Sequence, residues 1–384
     1  MLSKRIKINP ALTETAIAFD PQIQLGGYSN KSWKIPEGIE LLENSAILKF
    51  YAPTAKTVAV RRYWSEGPLT ELAKGDDGIW TLPLDSEGER YSPLFFEVDG
   101  VYVLNPMSEI CWSHGHPINY IDFPHKGNDY YMCKDVPHGT VQRDIYYSKI
   151  CNCYKGCEVY TPPGYNNGEY SELPVLYLQH GFGENETGWV HQGKVNFIMD
   201  NLLAKGKVKP CIIVMNNGMV QTQNGNGTRK WDAMTLPSVL VNECIPFIDS
   251  HYRTATDKWH RAMAGLSMGS MQTSVTTLTY PEFFGYVGIF SGFLGKLAEI
   301  CDDNSHFSSF DNKEKLFSDY KLFFRCMGDK DDFMEQYNEE SEMLREKGLS
   351  ADTWGAYKEV IYSGYHDWNV WRQSIRDFLE LIFK

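Results

Sequence analysis

The feature that most constrains the fold of this chain is the five-residue stretch 265–269, which reads G-L-S-M-G. A mostly apolar run of strand length precedes it, residues 259–264, and residues 270–280 can continue as a helix that Pro281 limits. A serine on a tight turn between a strand and a helix exposes its hydroxyl, and the flanking glycines permit the strained backbone and close packing. The sequence therefore predicts an α/β fold with Ser267 at such a turn.

A serine hydroxyl becomes a strong nucleophile only when a base takes its proton and an acid orients that base. In chains with this motif the order is serine, then the acid, then histidine. His366 fits as the base, because it follows the strand-like run 357–362 and a glycine turn and precedes a predicted helix, residues 371–383. Candidate acids follow the apolar run 321–328, where open α/β sheets place their sites. In order of preference they are Asp331, Asp332 and Asp329.

Such a site also needs donors for the oxyanion that forms on the substrate. The apolar run 173–179 ends in H-G-F-G, residues 180–183, and a glycine-rich turn after a strand can present backbone N–H groups to the nucleophile. We expect the two donors to be the amides of Phe182 and Met268. The second amide would lie at a helix N-terminus, which also favours developing negative charge.

Four separated segments carry a resemblance to a known family. They are H-G-F-G-E-N-E-T-G-W (180–189), N-L-L-A-K-G-K-V-K-P-C-I-I-V (201–214), H-R-A-M-A-G-L-S-M-G-S (260–270) and G-Y-H-D-W-N-V-W (364–371). In this order they resemble carbohydrate esterase family 1, which includes feruloyl esterases and acetylxylan esterases. The resemblance covers roughly residues 145–384 and implies an α/β-hydrolase fold, with a mostly parallel central sheet flanked by helices.

The resemblance also assigns roles to residues. It implies that Ser267 is the nucleophile, His366 the base and Asp331 the orienting acid, because Asp331 occupies the family's G-x-x-D position. Two positions depart from the pattern, since relatives often carry glycine where this chain has Glu184 and Ser270. Neither change removes a catalytic group.

The implied reaction is hydrolysis of esters on plant cell-wall polysaccharides or feruloylated oligosaccharides, through an acyl-enzyme and without a metal or organic cofactor. A feruloyl group is the first expectation, because aromatic side chains near the motifs suit stacking on a flat ring. The expected substrate contacts are Trp189, Trp231 and Trp368, with His180 and Gly181. Acetylxylan hydrolysis, hydrolysis of catechol siderophore esters and non-catalytic carbohydrate binding remain as alternatives.

The first third of the chain resembles a different module. Residues 46–60, 95–100 and 105–106 are similar to the immunoglobulin-like modules of starch-branching and debranching enzymes, carbohydrate-binding module family 48. Short alternating runs separated by Gly, Asp and Pro predict an all-β sandwich. The predicted division is an N-terminal arm and sandwich at 1–107, a connector at 108–143 and an α/β-hydrolase domain at 144–384.

The net charge, hydropathy and cysteine content of the chain limit what it can bind and where it can function. The net charge of −12 argues against nucleic acid and anionic membranes, and no apolar stretch approaches the ~20 residues of a membrane span. The 9 cysteines suit a reducing compartment, and the group at 151, 153 and 157 lacks a fourth ligand nearby, so no metal is expected. The first residues lack the apolar core of a signal peptide. The chain as written is thus expected in the cytoplasm, or secreted if a leader has been removed. Assembly into a homo-oligomer is left as an open alternative.

Overall fold

The chain divides into two compact units, residues 1–134 and 135–384. The computed structural model describes residues 38–42, 44–62, 68–86, 91–123, 128–223, 225–295 and 305–384. The predicted N-terminal arm before residue 38 lies outside these described residues. An all-β unit followed by a mixed α/β unit confirms the predicted fold class.

The first unit is a sandwich of two antiparallel sheets, ordered β1-β2-β6-β5 and β4-β3-β7-β10-β9, with β8 paired to β7. Its strands are β1 (Ile39–Leu41), β2 (Ser45–Tyr51), β3 (Val58–Arg62), β4 (Thr70–Glu71), β5 (Ala73–Lys74), β6 (Ile79–Asp85), β7 (Tyr91–Val98), β8 (Val101–Val103), β9 (Ile110–Ser113) and β10 (His116–Asp122). Side chains from both sheets share one core, in which Leu48 and Trp80 meet Val60 and Phe96. This arrangement follows from the period-two apolar pattern of the strands.

The predicted connector is wrong over part of its length, because residues 110–122 form β9 and β10 of the sandwich. The two strands meet at a two-residue turn, His114-Gly115, whose φ angles are 54° and 80°. Two positive φ angles are typical of a type I′ hairpin turn, which usually carries Asn or Asp at its first position. Here the first turn position is His114, and Pro117 lies inside β10. For these two reasons the sequence carries no clear hairpin signal.

The second unit is built on an eight-stranded sheet, ordered β11-β12-β14-β13-β17-β18-β19-β20. Its strands are β11 (Thr140–Ser148), β12 (Cys153–Thr161), β13 (Val175–Gln179), β14 (Ile212–Asn216), β17 (Arg261–Leu266), β18 (Tyr286–Phe290), β19 (Leu322–Gly328) and β20 (Tyr357–Tyr362); β15 (Gln221–Gln223) and β16 (Arg229–Trp231) form a separate hairpin. The pairs from β14 to β20 are parallel, and β11, β12 and β14 pair antiparallel. The sheet is therefore mostly parallel, as predicted.

Helices cover this sheet. In the described residues they are α1 (Gly188–His191), α2 (Val195–Ala204), α3 (Leu236–Val239), α4 (Ile245–His251), α5 (Met268–Thr279), α6 (Lys313–Asp319), α7 (Met334–Glu346) and α8 (Trp368–Leu379). A π-helical turn, Leu240–Cys244, joins α3 to α4. The strands β13, β14, β17, β18 and β19 are buried at every position, as expected for a parallel sheet covered on both faces. No helix among these described elements is long and apolar enough to cross a membrane.

Candidate active site

Ser267 lies on the predicted turn between a strand and a helix. It follows β17 directly and precedes the first residue of α5, with φ 52° and ψ −120°. A positive φ is strained for a residue with a side chain, and such strain concentrates at functional sites. The side chain of Ser267 is partly exposed, whereas all six residues of β17 are buried. The strained turn thus exposes the Ser267 hydroxyl at the end of a buried strand.

The two glycines of the motif are required by close backbone contacts around this turn. A Cβ on Gly265 would lie 2.3 Å from the Gly269 carbonyl oxygen, and a Cβ on Gly269 would lie 2.5 Å from the His180 carbonyl oxygen. Both distances are far inside van der Waals contact, so any side chain would push the turn apart. The second contact also packs the turn directly against the H-G-F-G loop, residues 180–183.

His366 and Asp331 are joined by a hydrogen bond. The distance from His366 Nδ1 to Asp331 Oδ2 is 2.8 Å, and the Asp331 side chain is fully buried. The other carboxylate oxygen accepts the Phe333 N–H at 3.0 Å. With Nδ1–H donating to the carboxylate, His366 presents an unprotonated Nε2 that can accept a proton. Asp332 and Asp329, the less favoured acids, are exposed.

The loops that carry Asp331 and His366 are bound to each other. The Asp329 carboxylate accepts the Gly364 N–H at 2.9 Å, and the Lys330 N–H donates to the Gly364 carbonyl at 2.9 Å. Asp329 thus positions the loop of His366 although it does not touch the imidazole. The Asp367 carboxylate caps α8 by accepting the N–H groups of Asn369 and Val370.

Ser267, Asp331 and His366 follow β17, β19 and β20, which run parallel in one sheet. Their positions past the carboxyl ends of these strands bring them to one edge of the sheet. In the described part of the chain, no hydrogen bond joins the Ser267 hydroxyl to His366. Such bonds are often long in unliganded sites and shorten when substrate binds.

The expected oxyanion donors flank this serine. A Cβ on Gly181 would lie 3.5 Å from the Ser267 Cβ, which places the H-G-F-G loop beside Ser267. The Met268 amide is the first of helix α5, where N–H groups have no partner within the helix. Among the described residues, neither this amide nor that of Phe182 donates to a protein group. Both amides are therefore available to a bound anion.

His180 does not reach the surface, so the prediction that it contacts substrate is wrong. It is 1% exposed, and both ring nitrogens are used inside the protein. Nε2 accepts the Gly218 N–H at 2.8 Å, which leaves the proton on Nδ1, and Nδ1–H donates to the Gly181 carbonyl at 2.8 Å. Gly181 is likewise buried. His180 and Gly181 therefore support the H-G-F-G loop from the interior of the protein.

Burial makes His180 a source of acid instability. It lowers the pKa of His180 to about 4 from an ordinary value of 6.5, so the folded chain resists its protonation. In the unfolded chain the imidazole binds a proton as the pH falls below 6.5. The free energy of unfolding therefore decreases between that pH and the lower pKa of His180 in the folded chain. At pH ~4.5 the loss is about 2 to 3 kcal/mol. We expect the unfolding free energy of wild type to fall by about that much more than that of His180→Gln between pH ~7.5 and ~4.5, measured in urea. Equal falls would contradict a buried neutral imidazole.

Two of the three expected tryptophans are also buried. Trp189 and Trp368 are each 1% exposed and pack edge to face, with ring centroids 5.1 Å apart. The Trp189 indole N–H donates to the Gln179 carbonyl at 2.9 Å. Neither ring can stack on a substrate, because each already fills the interior beneath the site. Trp231 is different, since it is 36% exposed and contacts the ring of Phe182, itself 59% exposed, at 5.2 Å.

A second apolar group, which lies next to His366, was not expected from the sequence. The Phe333 ring lies 5.1 Å from the His366 ring and 4.9 Å from that of Phe293. We call the whole group the apolar cluster; its members are Met219, Ala233, Met234, Met268, Met271, Phe293 and Phe333. Met219, Met234 and Phe333 are only partly buried. Their only sequence signal is that Phe333 directly follows the acids past β19.

Comparisons with known proteins identify the family of the second unit. Residues 148–381 match the family model "Esterase", described as a putative esterase. An endo-1,4-beta-xylanase/feruloyl esterase of Xylanibacter ruminicola is 36% identical over 350 residues. That alignment covers 89% of this chain, and the chain spans 45% of the length of that relative.

Two solved structures share the fold. The feruloyl esterase module from Clostridium thermocellum, solved with sinapinate, has a TM-score of 0.56 at 22% identity and covers 68% of this chain and 93% of its own. The enterobactin esterase from Shigella flexneri, solved with enterobactin, has a TM-score of 0.63 at 14% identity and covers 92% of this chain and 97% of its own. At such identities the likeness shows a shared fold, which in the second case spans both units.

Proposed function

This chain belongs to the esterase family, and we propose that it is a serine carboxylic-ester hydrolase that acts through Ser267, His366 and Asp331. One observation carries the proposal. The 2.8 Å hydrogen bond from His366 to a fully buried carboxylate orients a base at the sheet edge that also bears a strained, partly exposed serine. A nucleophile, a base and an orienting acid are the groups that acyl transfer requires.

The proposed reaction has two steps. The Ser267 hydroxyl oxygen attacks the ester carbonyl while His366 Nε2 takes its proton, and the amides of Phe182 and Met268 hold the oxyanion. The carbon–oxygen bond to the alcohol breaks as His366 returns the proton to the leaving oxygen, which leaves an acyl-serine. Water then attacks the acyl carbonyl with His366 as base, and the acid and the free serine are released. Asp331 holds Nδ1–H throughout and does not itself become protonated.

The proposed acyl group is feruloyl or a related hydroxycinnamoyl group. The apolar cluster supports this proposal, because aromatic rings and methionines beside Ser267 and His366 suit a flat aromatic acyl chain. The exposed pair of Phe182 and Trp231 adds aromatic surface at the H-G-F-G loop. The proposed substrates are esters on hemicellulose side chains, in keeping with the xylanase/feruloyl esterase relative.

Phe333→Ala tests the role of the apolar cluster. The variant removes a ring that contacts both Phe293 and His366, so we expect kcat/KM for methyl ferulate to fall by about 10-fold or more, from lost aromatic packing. The rate on 4-nitrophenyl acetate, whose acyl group is too small to reach the cluster, should change by less than about 3-fold. Equal falls on both substrates would mean that the ring orients His366 and does not bind the acyl chain.

Steady-state hydrolysis of methyl ferulate beside acetylated xylan tests the function as a whole. We expect kcat/KM for methyl ferulate to be far higher than kcat/KM for the release of acetate from xylan. The opposite ranking would identify an acetylxylan esterase. Folded protein inactive on both substrates would contradict the proposed activity on cell-wall esters.

Hydrolysis of a catechol siderophore ester is a second candidate. The observation that favours it is the likeness to the enterobactin esterase, which extends over both units of this chain. A direct comparison of methyl ferulate with enterobactin, each followed by release of its aromatic acid, separates the two candidates. Faster turnover of enterobactin would reverse our order of preference.

A further inference from the structure

A buried carboxyl group lies directly behind the H-G-F-G loop. Glu184 is 5% exposed, and its Oε2 accepts the Gly181 N–H at 2.9 Å. The Trp368 ring lies close to this carboxyl group, since a Cβ built on Gly188 would lie 3.5 Å from Trp368 Cζ2 and 3.8 Å from Glu184 Oε2. Trp368 begins α8, two residues after His366. One side chain therefore binds the loop of the expected oxyanion donor and lies beside the element that follows His366.

Gly181 is held from both sides. Its N–H donates to Glu184, and its carbonyl accepts the His180 Nδ1–H at 2.8 Å. A peptide unit is planar, so holding the Gly181 carbonyl also fixes the direction of the Phe182 N–H, which points the opposite way. The hydrogen bond at the Gly181 N–H constrains the preceding peptide in the same manner. The orientation of the Phe182 amide thus depends on contacts to both of these side chains.

We propose that Glu184 is a positioning residue, which links the Phe182 oxyanion donor to the His366 loop by binding Gly181 and packing beside Trp368. The inference rests on the proposed esterase function, since an oxyanion donor has a role only in such a reaction. Glu184 itself touches no reacting atom. It acts by holding the Phe182 amide and His366 in a fixed relative position. The rate of acyl transfer depends steeply on that position.

The surroundings of the carboxyl group explain why its hydrogen bond to Gly181 matters. Burial raises the pKa of Glu184 to about 7, and the hydrogen bond from the Gly181 N–H opposes that rise. Among the described residues, no charged side chain contributes to this shift. A carboxyl group without a charged partner is costly to bury, and hydrogen bonds to its oxygens are what offset that cost.

The test compares Glu184→Ala and Glu184→Gln with wild type. Rates on methyl ferulate are divided by the active-site concentration, taken from the burst of 4-nitrophenol on a chromogenic ester, so that unfolded protein does not count. We expect Glu184→Ala to lower kcat by about 10- to 100-fold with KM nearly unchanged, less than the 10²–10³-fold of a lost donor. Glu184→Gln keeps an oxygen for the Gly181 N–H and should recover most of the rate.

Glu243→Gln is the matched control. The Glu243 carboxylate also accepts backbone N–H groups, those of Lys149 and Ile150, which follow β11 at the opposite edge of the sheet from β20. Its kcat should stay within about 2-fold of wild type, since it contacts no residue of the proposed mechanism.

A double-mutant cycle with Trp368→Phe extends the test. If Glu184 acts through its contact with the Trp368 indole, Trp368→Phe should lower kcat more in the wild-type background than in Glu184→Ala. An active wild type with Glu184→Ala at full kcat per active site would overturn the inference alone, even if the melting temperature fell. An inactive wild type would overturn the proposed function instead.

Discussion

Ser267→Ala is expected to lower kcat on methyl ferulate by about 10⁶-fold, the scale seen when a serine hydrolase loses its nucleophile. Without the hydroxyl no acyl-enzyme can form, and the remaining groups can only polarise the ester for attack by water. The fold should survive, because Ser267 is partly exposed and its side chain makes no hydrogen bond among the described residues. Alanine also meets the same positive φ that serine already tolerates.

The measurement is steady-state kinetics with purified variant and wild type prepared side by side. An unchanged melting temperature is the control for folding. Retention of more than about one tenth of the wild-type kcat would contradict nucleophilic catalysis by Ser267, since no other group can supply an acyl-enzyme in the proposed mechanism.

Asp331→Asn is expected to lower kcat by up to about 10⁴-fold. The asparagine can still accept the Phe333 N–H, so the loop after β19 should keep its shape. Its amide N–H₂, however, can face His366 Nδ1 only if the imidazole places its proton on Nε2. The nitrogen that must take the serine proton is then already protonated.

Asp332→Asn is the matched control for this change. Asp332 is the next residue in the chain, carries the same charge and is exposed. Its replacement should leave kcat within about 2-fold of wild type, as for most surface substitutions. A large loss in Asp332→Asn, with Asp331→Asn unaffected, would move the role of the acid to Asp332.

Much of the α/β unit could be predicted from local sequence. The runs before Ser267, Asp331 and His366 are strands, and their parallel pairing follows from the α/β pattern. Boundaries were less accurate where a cap decides them. The last helix begins at Trp368 and not at 371, because the Asp367 side chain binds the first free N–H groups of α8.

The surroundings of the site were harder to predict, because sequence proximity does not reveal the direction of a side chain. Trp189 and Trp368 lie close to two of the motifs, yet each ring points into the interior. Phe293 and Phe333 meet beside His366 although they come from loops after different strands. Only the order of the strands in the sheet brings those loops together, and that order is a tertiary property.

Trapping the acyl-enzyme tests the central claim most directly. A chromogenic ferulate ester is mixed with the enzyme, the reaction is quenched in acid during the burst, and peptide mass spectrometry locates the feruloyl group. The account predicts one feruloyl ester on Ser267, formed in amounts that match the burst of released alcohol, and none in Ser267→Ala. A burst with the feruloyl group on another residue, or turnover with no covalent intermediate, would contradict it.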